Sequence, residues 1–296
     1  MNHERRVPDA MAVSVMVLLC LTWGMGHVSI KLASHGIPAV LQAGIRSLIA
    51  TACLMLWARM RGIPLFNADG TLGAGIAAGA LFAAEFLFLF IGLGYTSASR
   101  MSVFLYLAPC LTAAGLAWFI PGERLNPLQS LGMVLAFFGI VVAFGEGFSA
   151  AESTWAGDLM GIVGAFCWAV TTVVVRTTRL SNARAEKTLY YQLAVSGVML
   201  TVLSPLMGER GIVVLDAITV GSLLYQAVII SFASYLAWFW LMTRYLASRL
   251  SVFTFLSPLF GVLSGALVLD EPVTSLFIAS ALLVGAGLYL VNRPSS

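Results

Sequence analysis

The chain has 296 residues, of which 60% are hydrophobic and only 10% charged, with a formal net charge of +3 and a mean hydropathy of +0.95. Soluble domains carry about 25% charged residues, so this composition excludes a cytosolic enzyme, a disordered tail and a secreted disulfide scaffold. It is the composition of an integral membrane protein: ten crossings of ~20 apolar residues use roughly 200 positions and leave no room for a folded soluble domain.

Apolar runs follow one another at Met11–Ser34, Ile37–Trp57, Leu72–Gly94, Met101–Ile120 and Leu128–Gly145. A second set covers Gly157–Val175, Thr188–Met207, Ile218–Met242, Leu250–Leu269 and Leu276–Val291. None alternates with period two, which argues against a transmembrane barrel. Helices satisfy their own backbone hydrogen bonds where lipid cannot. The predicted fold is an all-α bundle of ten transmembrane helices. Arg5 and Arg6 precede the first run, but that run is too long for a signal peptide and reads as an uncleaved first helix. Cys20, Cys53, Cys110 and Cys167 are scattered over four runs without metal-ligand spacing. They read as packing residues, and no metal or cofactor is expected.

Lys and Arg set the orientation. With the N-terminus in the cytoplasm, twelve of the 16 fall inside, Lys31, Arg100 and Arg210 fall outside, and Arg46 lies within a run. Acids lean outward, as Asp158, Glu209, Asp216, Asp270 and Glu271 do. The positive-inside rule then places both termini in the cytoplasm of a bacterial-type inner membrane. The net positive charge reflects this topology, and no nucleic-acid partner is implied.

The halves repeat each other. Arg100-Met-Ser-Val-Phe-Leu-Tyr-Leu-Ala-Pro109 aligns with Arg249-Leu-Ser-Val-Phe-Thr-Phe-Leu-Ser-Pro258, with identity at Arg, Ser, Val, Phe, Leu and Pro. Glu123 pairs with Glu271, Gly139 with Gly287, Trp23 with Trp168, Lys31 with Arg176 and Gln42 with Gln192, all at nearly the same offset. Two repeats are predicted, residues 1–147 and 148–296. Five helices per repeat is an odd number, so the second copy enters the membrane from the opposite side. Such a 5+5 inverted repeat suits alternating access around a midplane site.

These residues resemble the EamA family of the drug/metabolite transporter superfamily. The resemblance rests on Trp23-Gly24, Lys31, Pro38 and Arg46, then Pro109, Gly115, Glu123-Arg124-Leu125, Gly132 and Gly139 in the first copy. Trp168, Arg176, Pro258, Glu271 and Gly287 repeat the theme in the second, where no Arg matches Arg46. It implies ten helices and transport of a small metabolite, often outward. The aromatic content and basic-inside layout are most similar to YddG-type exporters of aromatic and other amino acids.

Polar residues inside a span cost ~2.5–3.5 kcal/mol when charged, and they persist where a partner or a wet cavity receives them. Trp23, His27 and Lys31 share one face of the first helix. Trp23 is read as a stacking surface or as packing, His27 as a hydrogen-bonding or titrating group, and Lys31 as snorkelling outward. Gln42 and Arg46, with Gln192 and Ser196 as repeat mates, form a polar stripe. Arg46 suits a substrate carboxylate, or equally backbone carbonyls near a helix end. Glu85 is the one acid inside a span, and its repeat mate is Ser234. Three roles compete for it: ion-pair partner of Arg46 or His27, receptor for an ammonium, or proton coupler. Trp168, Thr171 and Thr172, with Ser231, Ser234, Tyr235, Trp238 and Met242, add aromatic and hydroxyl groups at helical spacing. They read as a cavity wall or as packing, with the threonine hydroxyls able to bond back to their own helix. Pro109 and Pro258 are predicted kinks.

No hydrolase, metalloprotease or nucleotide motif occurs, so the chain is read as a monomeric secondary transporter rather than an enzyme. The expected partners are a small-molecule substrate such as an amino acid, the lipid bilayer and, depending on Glu85, protons. The competing readings are an exchanger of phosphorylated or other anionic metabolites, which needs two or more cavity-facing cations, an exporter of drugs or quaternary amines, and a non-transporting scaffold.

Overall fold

In the computed structural model, which describes residues 9–119, 126–149, 154–245 and 252–291, each apolar run is helical and no strand occurs among the described residues. In chain order the helices are α1 (Ala10–Ala33), α2 (Ala39–Met60) and α3 (Leu72–Gly92). Next come α4, in two pieces (Ala98–Leu105 and Ala108–Phe119), α5 (Pro127–Ser149), α6 (Trp155–Thr177) and α7 (Ala185–Leu206). α8 runs through Ala217–Leu224, a π-helical stretch Tyr225–Ser234, and Tyr235–Arg244. α9 opens with the 3-10 turn Val252–Phe255 and continues as Leu256–Val268, and α10 is Ser275–Val291. Glu123, Arg124, Leu125 and Arg249, with Arg5 and Arg6, lie outside the described residues.

Among the described residues, 7 helices are long and apolar enough to cross a membrane, where ten had been expected. These are α1, α2, α3, α4 taken across its break, α6, α7 and α8. α5, α9 and α10 contribute shorter apolar helices, Pro127–Ala143, Leu256–Val268 and Ser275–Leu290. The breaks in α4 and α9 have a local cause. A proline lacks the N–H that would reach the carbonyl four residues back, and its ring crowds that carbonyl. The first piece of α4 accordingly ends at Leu105, four residues before Pro109, and α9 carries a 3-10 turn over Thr254, four residues before Pro258.

The core is largely apolar, and so is the outside. Leu18, Leu56, Trp118, Val134, Leu206 and Leu267 are all more than half exposed. A water-soluble protein does not display so much contiguous apolar surface; a lipid-facing one does. Small residues let the helices close up: a Cβ on Gly24 of α1 would lie 2.7 Å from the Gly261 backbone N of α9.

The packing partners follow a pattern. α2 meets α7, α4 meets α9 and α5 meets α10. α1 packs on α9 as α6 packs on α4, α3 packs on α6 as α8 packs on α1, and α3 packs on α7 as α8 packs on α2. Exchanging each helix with the one five places later leaves this set of neighbours unchanged.

Polar contacts between the halves tie together the two ends of the bundle. At one end Glu209 accepts from the Val40 and Leu41 N–H groups at 2.9 Å each, and Gly36 O accepts from Val213 and Val214. At the same end Glu271 accepts from the N–H groups of Ala98 (2.7 Å) and Ser99 (2.9 Å) and pairs with Lys31 at 3.3 Å. Pro38 has no side-chain acceptor to cap α2, so the orphan donors of its first turn are met from across the bundle. At the other end Lys187, buried, donates to Asp69 at 2.8 Å and to the Asn67 carbonyl, and holds the Asp69 carboxyl well below the usual carboxylate range.

The first end also carries an exposed pair, His35 Nε2 to Asp216 Oδ2 at 3.0 Å. The Asp216 carboxylate raises the His35 pKa above its ordinary 6.5, with the Leu32 carbonyl adding to the effect. A raised folded-state pKa means that the contribution is fully present below pH 6.5 and fades as pH rises through the raised value. Asp216→Asn should therefore remove a shallow decline in thermal midpoint between neutral and alkaline pH. An identical decline in wild type and variant would assign it elsewhere.

Candidate functional site

α1 supplies the first polar stripe. Trp23, half-buried, donates from Nε1 to Ser234 Oγ at 2.8 Å, and its ring meets Trp238 edge-on at 5.9 Å. One turn later His27 is buried with Nδ1 2.7 Å from Ser102 Oγ of α4. Ser102 Oγ also lies 2.8 Å from Ala98 O; with its proton given there, His27 Nδ1–H is the donor to Ser102. Lys31, the third member, pairs with Glu271 at the bundle end instead of snorkelling alone.

α2 contributes Gln42 and Arg46. Gln42 is fully buried and donates to Ile30 O at 3.3 Å, which ties the start of α2 to the end of α1. Arg46 is 2% exposed. Its guanidinium lies over the Phe86 ring at 3.8 Å and near Phe90 at 5.2 Å, while Nε and Nη2 have no partner. The repeat mates on α7 diverge: Gln192 is half-buried, and Ser196 donates to Leu193 O of its own helix.

Glu85 on α3 is 5% exposed and its Oε2 has no partner. It forms no ion pair within 4.0 Å with Arg46 or His27 among the described residues, which departs from one of the three roles weighed for it. The reason is visible in the packing: two phenyl faces hold the guanidinium of Arg46. Arg46, Glu85 and Tyr235 nevertheless lie within electrostatic reach of one another.

Trp168 of α6 and Tyr235 of α8 pack against the apolar cluster that contains Phe82, Phe86 and Phe90. Trp168 also meets Tyr106 edge-on at 5.9 Å, at the break of α4. Thr171 and Thr172 donate to Cys167 O and Trp168 O, so both hydroxyls are used within their own helix. Two groups emerge from the predicted residues. Arg46, Tyr235 and Trp168 share the phenyl cluster, Glu85 lies on the helix that carries those phenyls, and Trp23 with Trp238 and Ser234 forms an aromatic patch. Gln42 and Thr171 are committed to bonds within and between adjacent helices. Pro109 and Pro258 sit beyond the helix breaks they cause.

Sequence reading missed Gln226, Phe86 and the partner Ser102. Gln226 lies in the π-helical stretch, buried, with its amide donating to Ser29 O at 3.1 Å and its Oε1 unpartnered. As a lone amide in the run Ile218–Met242 it was detectable by the reasoning that found Glu85. π-Helical insertions occur disproportionately at functional sites, because the extra residue re-aims the side chains that follow. Here those are Ser231, whose Oγ is unpartnered, and Tyr235. A groove of about 390 Å³ between α3 and α7 is lined by apolar residues such as Ala83, Leu87 and Leu203, and none of these groups lines it.

The all-helical bundle with its apolar belt is a multi-pass membrane protein, and its family match makes it a transporter and not an enzyme. The chain belongs to the EamA-like transporter family, whose profile matches residues 10–145 and again 155–293. It is similar to the probable amino-acid metabolite efflux pump of Escherichia coli (strain K12), at 26% identity over 93% of this chain and 92% of that one. It is 27% identical to an uncharacterized transporter of Bacillus subtilis (strain 168), over 98% of this chain and 94% of the relative. A solved crystal structure shares the fold, with a TM-score of 0.67 at 17% identity, covering 96% of this chain and 98% of that one.

Proposed function

We propose that the chain exports amino acids or closely similar small metabolites across an inner membrane by alternating access. In this reading ten helices form two inverted five-helix repeats in a monomer, with both termini in the cytoplasm. The double match of the family profile and the exchange symmetry of the helix neighbours support the repeat. The observation that carries the transport reading is the burial of Arg46 and Glu85 among α2, α3, α6 and α8, drawn from both halves, with hydrogen-bonding atoms left unmet. Such atoms are expensive unless something arrives to satisfy them. The efflux-pump relative favours an amino acid as that arrival.

The phosphorylated-anion reading is weaker. Among the described residues the buried cations are Arg46 and Lys187, and Lys187 is already paired with Asp69. A multiply charged anion would meet one free cation and a nearby carboxylate.

The test is purified protein in liposomes and a panel of labelled amino acids. At least one member should enter faster than into protein-free vesicles, and uniform equality with the empty vesicles would reject the substrate class. The same vesicles with and without a pH gradient, comparing wild type with Glu85→Gln, decide whether protons are coupled at Glu85. An unchanged response in the variant removes that role.

A further inference from the structure

Arg46 and Glu85 are a base and an acid buried in one interior, and they are not bonded to each other. Buried ions of opposite sign ordinarily pair, because pairing is the cheapest way to offset lost hydration. Here the guanidinium is held by its face, with Cζ 3.8 Å above the Phe86 ring. A face contact leaves the in-plane N–H edge available, and it is the edge that matches a carboxylate in a two-pronged bond. Nε and Nη2, two nitrogens of that edge, have no partner. On the other side Glu85 Oε2 has none either.

Building on the amino-acid reading above, we propose that Arg46 and Glu85 are the two poles of a split receptor for a zwitterion. Arg46 takes the substrate carboxylate, Glu85 takes its ammonium, and the side chain lies against the aromatic groups of Phe86, Trp168 and Tyr235. The charge balance explains the selectivity. With Glu85 ionised the empty site holds one positive and one negative group, and a zwitterion adds one of each, so the loaded site is as neutral as the empty one. An anion or a cation of the same shape satisfies one pole, strands the other, and brings an uncompensated charge into the membrane interior. The receptor is therefore specific for the α-amino-acid headgroup and permissive toward the side chain.

Three probes sharing one side chain test this: L-phenylalanine, N-acetyl-L-phenylalanine, which lacks the ammonium, and 2-phenylethylamine, which lacks the carboxylate. Each competes with labelled L-phenylalanine for uptake into proteoliposomes, and each is also scored by the shift it produces in the thermal midpoint of detergent-purified protein. The second readout does not depend on transport. For wild type, both analogues should compete at least tenfold more weakly than unlabelled L-phenylalanine. Arg46→Gln should erase the disadvantage of 2-phenylethylamine to within about threefold and leave that of the N-acetyl compound; Glu85→Gln should do the reverse. Arg46→Lys and Glu85→Asp, which keep the charges, should preserve the order of the three probes.

If both neutral variants fold and keep the wild-type ratios, the receptor is wrong while amino-acid transport stands. If the double variant Arg46→Gln/Glu85→Gln restores the discrimination lost in each single one, the two residues form a structural pair and the receptor is again wrong. If wild type neither transports nor is stabilised by L-phenylalanine and the rest of the amino-acid panel, the substrate reading fails and takes the receptor with it.

Discussion

Asp158→Ala should lower the stability of the detergent-solubilised protein by about 3–5 kcal/mol, the usual cost of stripping one partner from a buried ion pair. Asp158 is completely buried in the first turn of α6. It accepts from Thr96 Oγ1 at 2.6 Å, from Arg100 Nη2 at 2.6 Å and from Arg100 Nε at 3.1 Å. The Arg100 side chain is only 11% exposed, so water cannot replace the lost carboxylate. Because part of the penalty comes from leaving the guanidinium without its carboxylate, although Ala143 O still accepts from it, the double variant Asp158→Leu/Arg100→Met should recover part of the loss. A contact at the opposite end sets the scale. Tyr245, at the repeat position of Thr96, donates to Asp9 at 2.9 Å, but Asp9 is exposed. Tyr245→Phe should cost no more than about 1 kcal/mol. Thermal midpoints followed by tryptophan fluorescence measure both. Equal shifts for Asp158→Ala and Tyr245→Phe would show that burial is not what sets the size of the effect.

The helices were readable because long apolar runs have few alternatives in lipid, and the breaks were readable because Pro109 and Pro258 act on their own chain, four residues back. Glu85 was readable as a lone acid among apolar neighbours. What the sequence withheld are relations that depend on distance. Nothing local marks Val40, Leu41, Ala98 and Ser99 as donors to Glu209 and Glu271, since a backbone N–H has no residue type. Nor does spacing tell whether Arg46 reaches Glu85. A rotamer choice on α2 and the position of Phe86 decide it, and they leave the two apart. The π-helical stretch in α8 is hidden for a similar reason: Tyr225–Ser234 has ordinary helix-forming composition, and its altered register is visible only in the backbone.

Glu271→Gln and Glu209→Gln should together open the end of the bundle that these carboxylates hold shut. Each carboxylate belongs to the second half and takes two N–H groups that begin a helix of the first half, where the helix dipole adds to the attraction. Glu271 also accepts from Ser99 Oγ at 2.8 Å, and Glu209 from Ser204 Oγ at 2.7 Å. In the alternating-access cycle proposed above the halves separate at one end while closing at the other, so these contacts would be made in one state and lost in the other. An amide in place of the carboxylate keeps one acceptor and surrenders the charge, which removes about 1–2 kcal/mol per clamp. Each substitution then multiplies the ratio of open to closed by about 5–30, and clamps this independent should combine almost additively. Ile37, fully buried at that end between α1 and α2, offers a reporter. A cysteine placed there, in a background without the four native cysteines, should react with an impermeant maleimide about 5–30 times faster in either single variant than in the parent, and faster still in the double one. Transport should slow in the same variants, because the closed state has to be revisited once per turnover. Unchanged labelling in the double variant would mean that Gly36 O, the His35 pair and the apolar contacts hold this end without the two carboxylates.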